Sequence, residues 1–203
     1  MSIEIKQNKR PISYQKAIKF LDRRVKEIKE NRNRELLWIL EHPTTYTAGI
    51  RFKKEEVLDK KIKIIKTNRG GKITLHNPGQ KIIYVVLDLN RRKKDIRKLI
   101  STLENSIIEY LKIYKINGKK DSKNIGIWVN NKKIAAIGLR ISKWIAYHGF
   151  SININNNLAQ YLKIIPCGLD NQKITSMYNE NRVTIKNIEK KIIDILIKNI
   201  NKI

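Results

Sequence analysis

The sequence predicts one domain of mixed α/β (α+β) class, residues 1–203, in which a mixed β-sheet is packed with helices. Two kinds of segment predict it. Short apolar runs rich in Ile and Val and bounded by Gly, Pro or Asn read as strands, and longer stretches with apolar residues every three or four positions read as amphipathic helices. The two kinds alternate without an internal repeat or a linker-like stretch, the pattern of strands and helices sharing one core. With 203 residues, 41% of them hydrophobic, the chain can bury a sizeable core and is not of disordered composition.

Ser13 precedes Ala17, Leu21, Val25 and Ile28, which recur at helical spacing, so Ser13 is placed to cap a helix that lies on the sheet. LLWIL at 36–40 reads as a buried strand ending at Glu41-His42-Pro43, where the proline turns the chain out. KIKII at 61–65, KITLH at 72–76 and IIYVVLDL at 82–89 read as three strands with tight connections at Asn68, Gly70, Gly71, Pro78 and Gly79. From Asp95 to Tyr114, Ile96, Leu99, Leu103, Ile107 and Leu111 make one face of a second helix, which crosses the sheet. IGIWV at 125–129 and KIAAIGLRI at 133–141 flank Asn130-Asn131-Lys132, a hairpin signal because Asn tolerates positive φ. The alternation at 150–154 gives another strand, and 155–179 reads as a loop with short helical turns. Thr184 then caps a last helix carrying Ile185, Ile188, Ile192 and Ile195.

The net charge of +26, from 44 Lys and Arg against 18 Asp and Glu, invites a search for a nucleic-acid or membrane partner. The lysines, however, are scattered between Ile and Asn instead of clustering with aromatics, which is the mark of drift toward AT-rich codons and argues against a nucleic-acid module. A positive surface would still steer an acidic protein toward the molecule. A single cysteine forms no intramolecular disulfide and no metal cluster. MSIEIKQNKRP lacks the apolar core of a signal peptide, and no run reaches the length of a membrane span, so the expectation is a cytoplasmic protein with no membrane partner and no metal.

Few residues stand out chemically. Cys167 lies in IIPCGL, where Pro166 stiffens the approach and Gly168 allows close contact with a ligand; its alternative role is that of a small buried hydrophobe. A nucleophilic thiol needs a base or cation nearby, and His42, His76, His148 and many lysines are available. Lys133 differs from the other lysines in opening the apolar segment IAAIGL, where it can exchange a proton with a thiol, unless it is only a solvated hairpin lysine. Arg69-Gly70-Gly71 can turn backbone N–H groups toward a carbonyl or phosphate, or can be a simple bulge. The three histidines have no metal-ligand spacing and suit structural roles equally well.

Taken together, EHPTTYTAG at 41–49, RGGKITLHNPGQ at 69–80, GIWVNNKKIAAIGLRI at 126–141, YHGFSININ at 147–155 and IPCGL at 165–169, with Thr175-Ser176 beyond, resemble the lipoyl(octanoyl) transferases in order and spacing. The likeness runs from about Ser13 to Tyr178. The chain departs from the family's RGG-x-x-TYHGPGQ pattern at Leu75, which lacks the phenol hydroxyl of Tyr, and at Asn77, which replaces Gly but tolerates positive φ.

The resemblance implies the fold shared by biotin and lipoate protein ligases and a ping-pong acyl transfer without ATP, metal or cofactor. Cys167 matches the acyl-thioester cysteine, and Lys133 the lysine that favours its thiolate. Arg69, Gly70, Gly71, Lys72, Ile73, Thr74, Leu75 and His76, then Ala136, Ile137 and Gly138, then Gly149, Phe150 and Ser151 match the parts that line the acyl pocket, with His148 an additional candidate. The implied donor is octanoyl-acyl carrier protein. The implied acceptors are lipoyl domains of 2-oxoacid dehydrogenase complexes and the glycine cleavage H protein, and the enzyme acts as a monomer. The nearest alternative is an ATP-dependent lipoate or biotin ligase on the same fold, in which Cys167 is incidental.

Overall fold

The structure, a computed structural model, describes residues 2–121, 124–166, 174–183 and 188–203, residue 188 by its backbone alone. In chain order the elements are β1 (Ile3–Gln7), α1 (Tyr14–Lys29), β2 (Glu35–Leu40), β3 (Thr45–Ala48), β4 (Ile64–Lys66), β5 (Ile73–His76), β6 (Gln80–Asp88), α2 (Ile96–Ile113), β7 (Lys119–Lys120), β8 (Ile127–Val129), β9 (Lys132–Ser142), β10 (Ile145–Asn153), α3 (Met177–Asn181) and α4 (Ile188–Ile200). A short 3-10 turn, Leu158–Lys163, precedes α3. Strands form a seven-stranded sheet in the order β1-β2-β6-β10-β9-β8-β7 and a three-stranded sheet in the order β4-β3-β5. Pairing is parallel for β1 with β2 and for β3 with β4, and antiparallel elsewhere, so the expected mixed sheet is present.

Side-chain alternation assigns the two faces of the large sheet to different helices. Leu36, Trp38 and Leu40 of β2, with Ile82, Tyr84 and Val86 of β6, pack on Ala17, Leu21, Val25 and Ile28 of α1. The intervening Leu37 and Ile39, with Ile83, Val85 and Leu87, face Leu99, Leu103 and Ile107 of α2 and Ile192 and Leu196 of α4. β6 is buried at every position, which explains why its sequence is a continuous apolar run instead of an alternating one.

Several expectations need correction. Ser13 stands at the N-cap of α1 but its hydroxyl makes no capping hydrogen bond. Asp95 does cap α2, accepting from the Lys98 N–H at 2.9 Å. The run at 61–65 gives only the short β4, and the three strands expected in succession belong to two sheets, β3 lying between β4 and β5. Neither β1 nor β3 was anticipated, since each offers only a few apolar residues and gains its order from a partner strand. The hairpin at Asn130 and Asn131 forms as expected, with φ of 48° and 60°. Thr184 and Ile185 lie outside the described residues. Among the described residues no helix is long and apolar enough to cross a membrane.

A buried ion pair closes one end of β2 and β6. The Arg92 guanidinium donates to both oxygens of the Glu35 carboxylate, the longer bond being 2.7 Å, and Glu35 also accepts the Asp88 N–H at 2.8 Å. Each side chain is 2% exposed, so neutralising one partner strands the other's charge away from water. Glu35→Gln should lower stability by about 3–5 kcal/mol in urea denaturation. A loss below about 1 kcal/mol would mean that the pair is hydrated in solution.

Candidate active site

The two sheets enclose a cavity of about 460 Å³. The small sheet contributes Thr74 and His76 of β5 and, just before them, Arg69, Gly70, Gly71 and Lys72; the large sheet contributes Ile82 and Tyr84 of β6, Ala136 and Gly138 of β9, and Gly149 and Ser151 of β10. Tyr14, at the start of α1, Arg51, Lys133 and His148 line it as well, as do Ile96 and Ile100 of α2, Asn124, Ile125, and Leu139 and Ile141 of β9. Ile137 and Phe150 border the cavity while also packing into the core on the α2 side.

Arg69 fastens the loop that covers the cleft. Its guanidinium is buried and donates to the Thr47 carbonyl at 2.8 Å, the Thr47 hydroxyl at 2.9 Å and the Gly70 carbonyl at 3.0 Å. The Gly70 N–H, which sequence offered as a free donor, bonds instead to the Leu139 carbonyl at 3.1 Å and clips the loop to β9. The loop lies so close that a Cβ at Gly138 would stand 3.3 Å from the Gly70 oxygen.

Ile73 and Leu75, expected to line the pocket, do not. Alternation along β5 turns them away from Thr74 and His76 into a separate small core with Tyr46, Tyr161 and Ile164. A phenol at position 75 would therefore face that core and not the cleft. Nor does Asn77 adopt positive φ, which falls at Gly79 with φ 88°. The buried Asn77 amide instead donates to the Asn157 carbonyl and to Gln160 Oε1, both at 2.9 Å, and accepts from Asn156 at 2.9 Å, tying β5 to the turn before α3.

Lys133 is 5% exposed, so it is not a solvated hairpin lysine. An extra residue in β9 shifts its register with β8: Trp128 pairs with Lys133, but Ile127 with Ala135. This bulge breaks the alternation and sets Lys133 beside Thr74, Ala136 and Ser151. Its Nζ lies 5.3 Å from the centre of the Trp128 ring, and no carboxylate pairs with it among the described residues. Cys167 lies outside the described residues, but the chain on each side of 167–173 is placed. Pro166 and Ile174 border the same hollow as Lys133, Ile174 forms a parallel bridge with it, and the Thr175 N–H donates to its carbonyl at 3.0 Å.

The three histidines, separate in sequence, gather around the inner end of the cleft. His42 Nδ1–H donates to the Ile12 carbonyl at 2.5 Å, while the Tyr84 hydroxyl donates to His42 Nε2 at 2.8 Å. His76 Nδ1–H donates to Gln80 Oε1 at 2.8 Å, and His148 Nε2–H to Asn68 Oδ1 at 2.9 Å. The His42 and His76 rings lie 5.6 Å apart, with Tyr14 stacked on His76 at 5.9 Å. Burial depresses all three: His42 to about 4 despite its bond to Ile12, His76 to about 3 with help from His42, and His148 to about 3 with help from Arg69. Two neutral imidazoles, His76 and His148, thus line the cleft, His42 being buried beside His76, and among the described residues no group of three His, Cys, Asp or Glu suits a metal ion. Tyr14, Tyr84 and the approach of His42 were missed by sequence reasoning; each comes from a different element, and no local signal marks them.

The family described as lipoyl protein ligase A/B catalytic domain matches residues 13–197. An octanoyltransferase of Wolbachia pipientis subsp. Culex pipiens is 47% identical over 169 residues, covering 81% of this chain and 82% of that protein. An octanoyltransferase of Ehrlichia chaffeensis is 46% identical over 181 residues, covering 86% and 85% respectively. Among solved structures, a putative lipoate protein ligase of T. acidophilum with bound lipoic acid superimposes with a TM-score of 0.82 at 15% identity, over 99% of this chain and 87% of that one. Lipoate-protein ligase A bound with ATP gives 0.80 at 15% identity, over 99% and 86%. At such identity the structural likeness speaks for the fold, which is the one expected.

The neutral imidazoles give the protein an acid-sensitive core. Each titrates near 6.5 once unfolded but only near 3 or 4 when folded, so stability is complete above pH 6.5 and is lost as pH falls below it. Each ring should contribute a slope of about 1.4 kcal/mol per pH unit in that window. In urea denaturation between pH 6 and 4.5, His42→Gln should remove one such slope; an unchanged slope would show that the ring is charged in the folded protein.

Proposed function

The chain belongs to the lipoyl protein ligase A/B catalytic-domain family, and from that premise we propose that it is an octanoyltransferase that works through a thioester on Cys167. The donor is octanoyl-acyl carrier protein. The acceptor is the ε-amine of a lysine on the lipoyl domains of 2-oxoacid dehydrogenase complexes and on the glycine cleavage H protein. Acting as a cytoplasmic monomer suffices for this chemistry.

One observation carries the reading: Lys133 is withdrawn from water beside the cleft, and the chain is fastened against its backbone where it returns from the segment that holds Cys167. Relatives named octanoyltransferase, at 47% and 46% identity over most of their length, support the acyl group chosen.

In the first half-reaction the Cys167 thiol proton passes to the Lys133 amine and the thiolate attacks the donor's thioester carbonyl. A new C–S bond forms, the donor's C–S bond breaks, and the leaving thiolate takes the proton from Lys133. In the second, the acceptor amine attacks the enzyme thioester, a C–N bond forms, and Lys133 relays the amine's proton to Cys167 as it departs. The sum is thioester plus amine giving amide plus thiol. A thioester is already activated, so no ATP enters. Acidic carriers would be drawn to a chain of net charge +26.

Intact-mass measurement after incubation with octanoyl-acyl carrier protein should show one added octanoyl group on the wild type and none on Cys167→Ser. An unmodified wild type, or a Cys167→Ser variant that modifies lipoyl domains from ATP and free lipoate, would replace this reading with that of a ligase. Lys133→Ala should retain the fold but slow alkylation of Cys167 at neutral pH by about tenfold or more, the usual scale of a lost proton-transfer partner. Unchanged alkylation would remove Lys133 from the mechanism.

A further inference from the structure

His148 occupies a conformation that its position in a strand does not call for. Regular alternation along β10 would send it to the same side as Ala146, Phe150 and Ile152, into the core beneath α2. Instead its φ is 66°, in the left-handed region that side chains rarely enter. The next residue must then be glycine, since a Cβ at Gly149 would stand 2.0 Å from the Ile83 carbonyl oxygen. The kink turns the imidazole out of the core and into the cleft.

Three neighbours hold it there. Asn68, the residue before the Arg69 loop, accepts from Nε2 at 2.9 Å; the Tyr147 ring stacks at 5.0 Å; and Tyr84 meets it edge-on at 6.3 Å. The ring is 2% exposed, and its Nδ1 has no hydrogen-bond partner among the described residues. Strained backbone fixed by several contacts is the usual sign that a side chain has a task.

We infer that His148 is the end wall of the acyl cleft and sets the length of chain that the enzyme accepts. The inference rests on the octanoyl-transfer reading and adds the residue that decides its selectivity. Transfer chemistry belongs at the end of the cleft where Lys133, Thr74 and Ser151 meet the chain flanking Cys167. Ser151 lies three residues beyond the kink, about 10 Å along the strand. From carbonyl to methyl an extended octanoyl group spans about 9 Å. An eight-carbon chain that starts beside Ser151 therefore ends against the His148 ring. A longer chain collides with a ring held by three contacts.

The test compares octanoyl-, decanoyl- and dodecanoyl-acyl carrier protein as donors, reading the acyl–enzyme by intact mass over time, for wild type, His148→Asn and His148→Gly. Asn and Gly both tolerate the left-handed backbone, so each shortens the wall without new strain. The wild-type rate should fall steeply from eight carbons to ten. In His148→Gly the decanoyl-to-octanoyl ratio should rise about tenfold or more, since each newly buried methylene is worth about fourfold. His148→Asn should move the ratio the same way by less. Folded variants that keep the wild-type ratio would overturn the assignment, as would a wild type that takes dodecanoyl as fast as octanoyl, a measurement that needs no variant. A wild type that accepts no acyl group from any donor would instead overturn transfer itself, and this inference with it.

Discussion

Burial of β6 on both faces is the constraint from which the rest of the architecture follows. Lying between β2 and β10 and buried at all its positions, it divides the apolar residues of the large sheet into two sets. One set rests under α2 and α4, the other under α1. α1 begins at Tyr14, which also lines the cavity, and there the small sheet takes over as the cover. The cleft is where one covering layer ends and another begins, so a ligand enters without the core being opened.

Within that cleft, desolvation governs the chemistry. Burial holds His42, His76 and His148 as neutral rings, His42 with both nitrogens and the others with one committed to a fixed partner. Lys133 is withdrawn from water too, with the indole ring of Trp128 beside it. A chain of net charge +26 that places a lysine beside the cleft favours anions near it. Arg69, by contrast, is occupied with Thr47 and Gly70, so its role is to hold the loop in place.

The irregular backbone positions also gather here. A bulge aims Lys133 and a left-handed residue aims His148, each turning a polar side chain into the cleft where regular pleating would have sent it elsewhere. Along β10, Ser151 and His148 stand three residues apart, about 10 Å of strand. The two irregular positions stand on adjacent, antiparallel strands, β9 and β10.

Much was legible in the chain itself. The helices at Ala17–Ile28 and Ile96–Leu111, the buried run at 36–40 and the Asn130-Asn131 hairpin follow from local periodicity and turn chemistry, which act over a few residues and survive any tertiary arrangement. The blocks around Arg69, Lys133, Gly149 and Cys167 pointed to the family through their residue types and order. Tertiary structure alone decided the facing of those residues. Ile73 and Leu75 turn away because β5 pairs with β3 in one register, Lys133 turns inward because of a bulge, and the three histidines meet because strands from distant parts of the chain converge. Facing in a sheet reverses with a shift of one residue, and that shift is set by partner strands far away in sequence, so no local pattern can carry it.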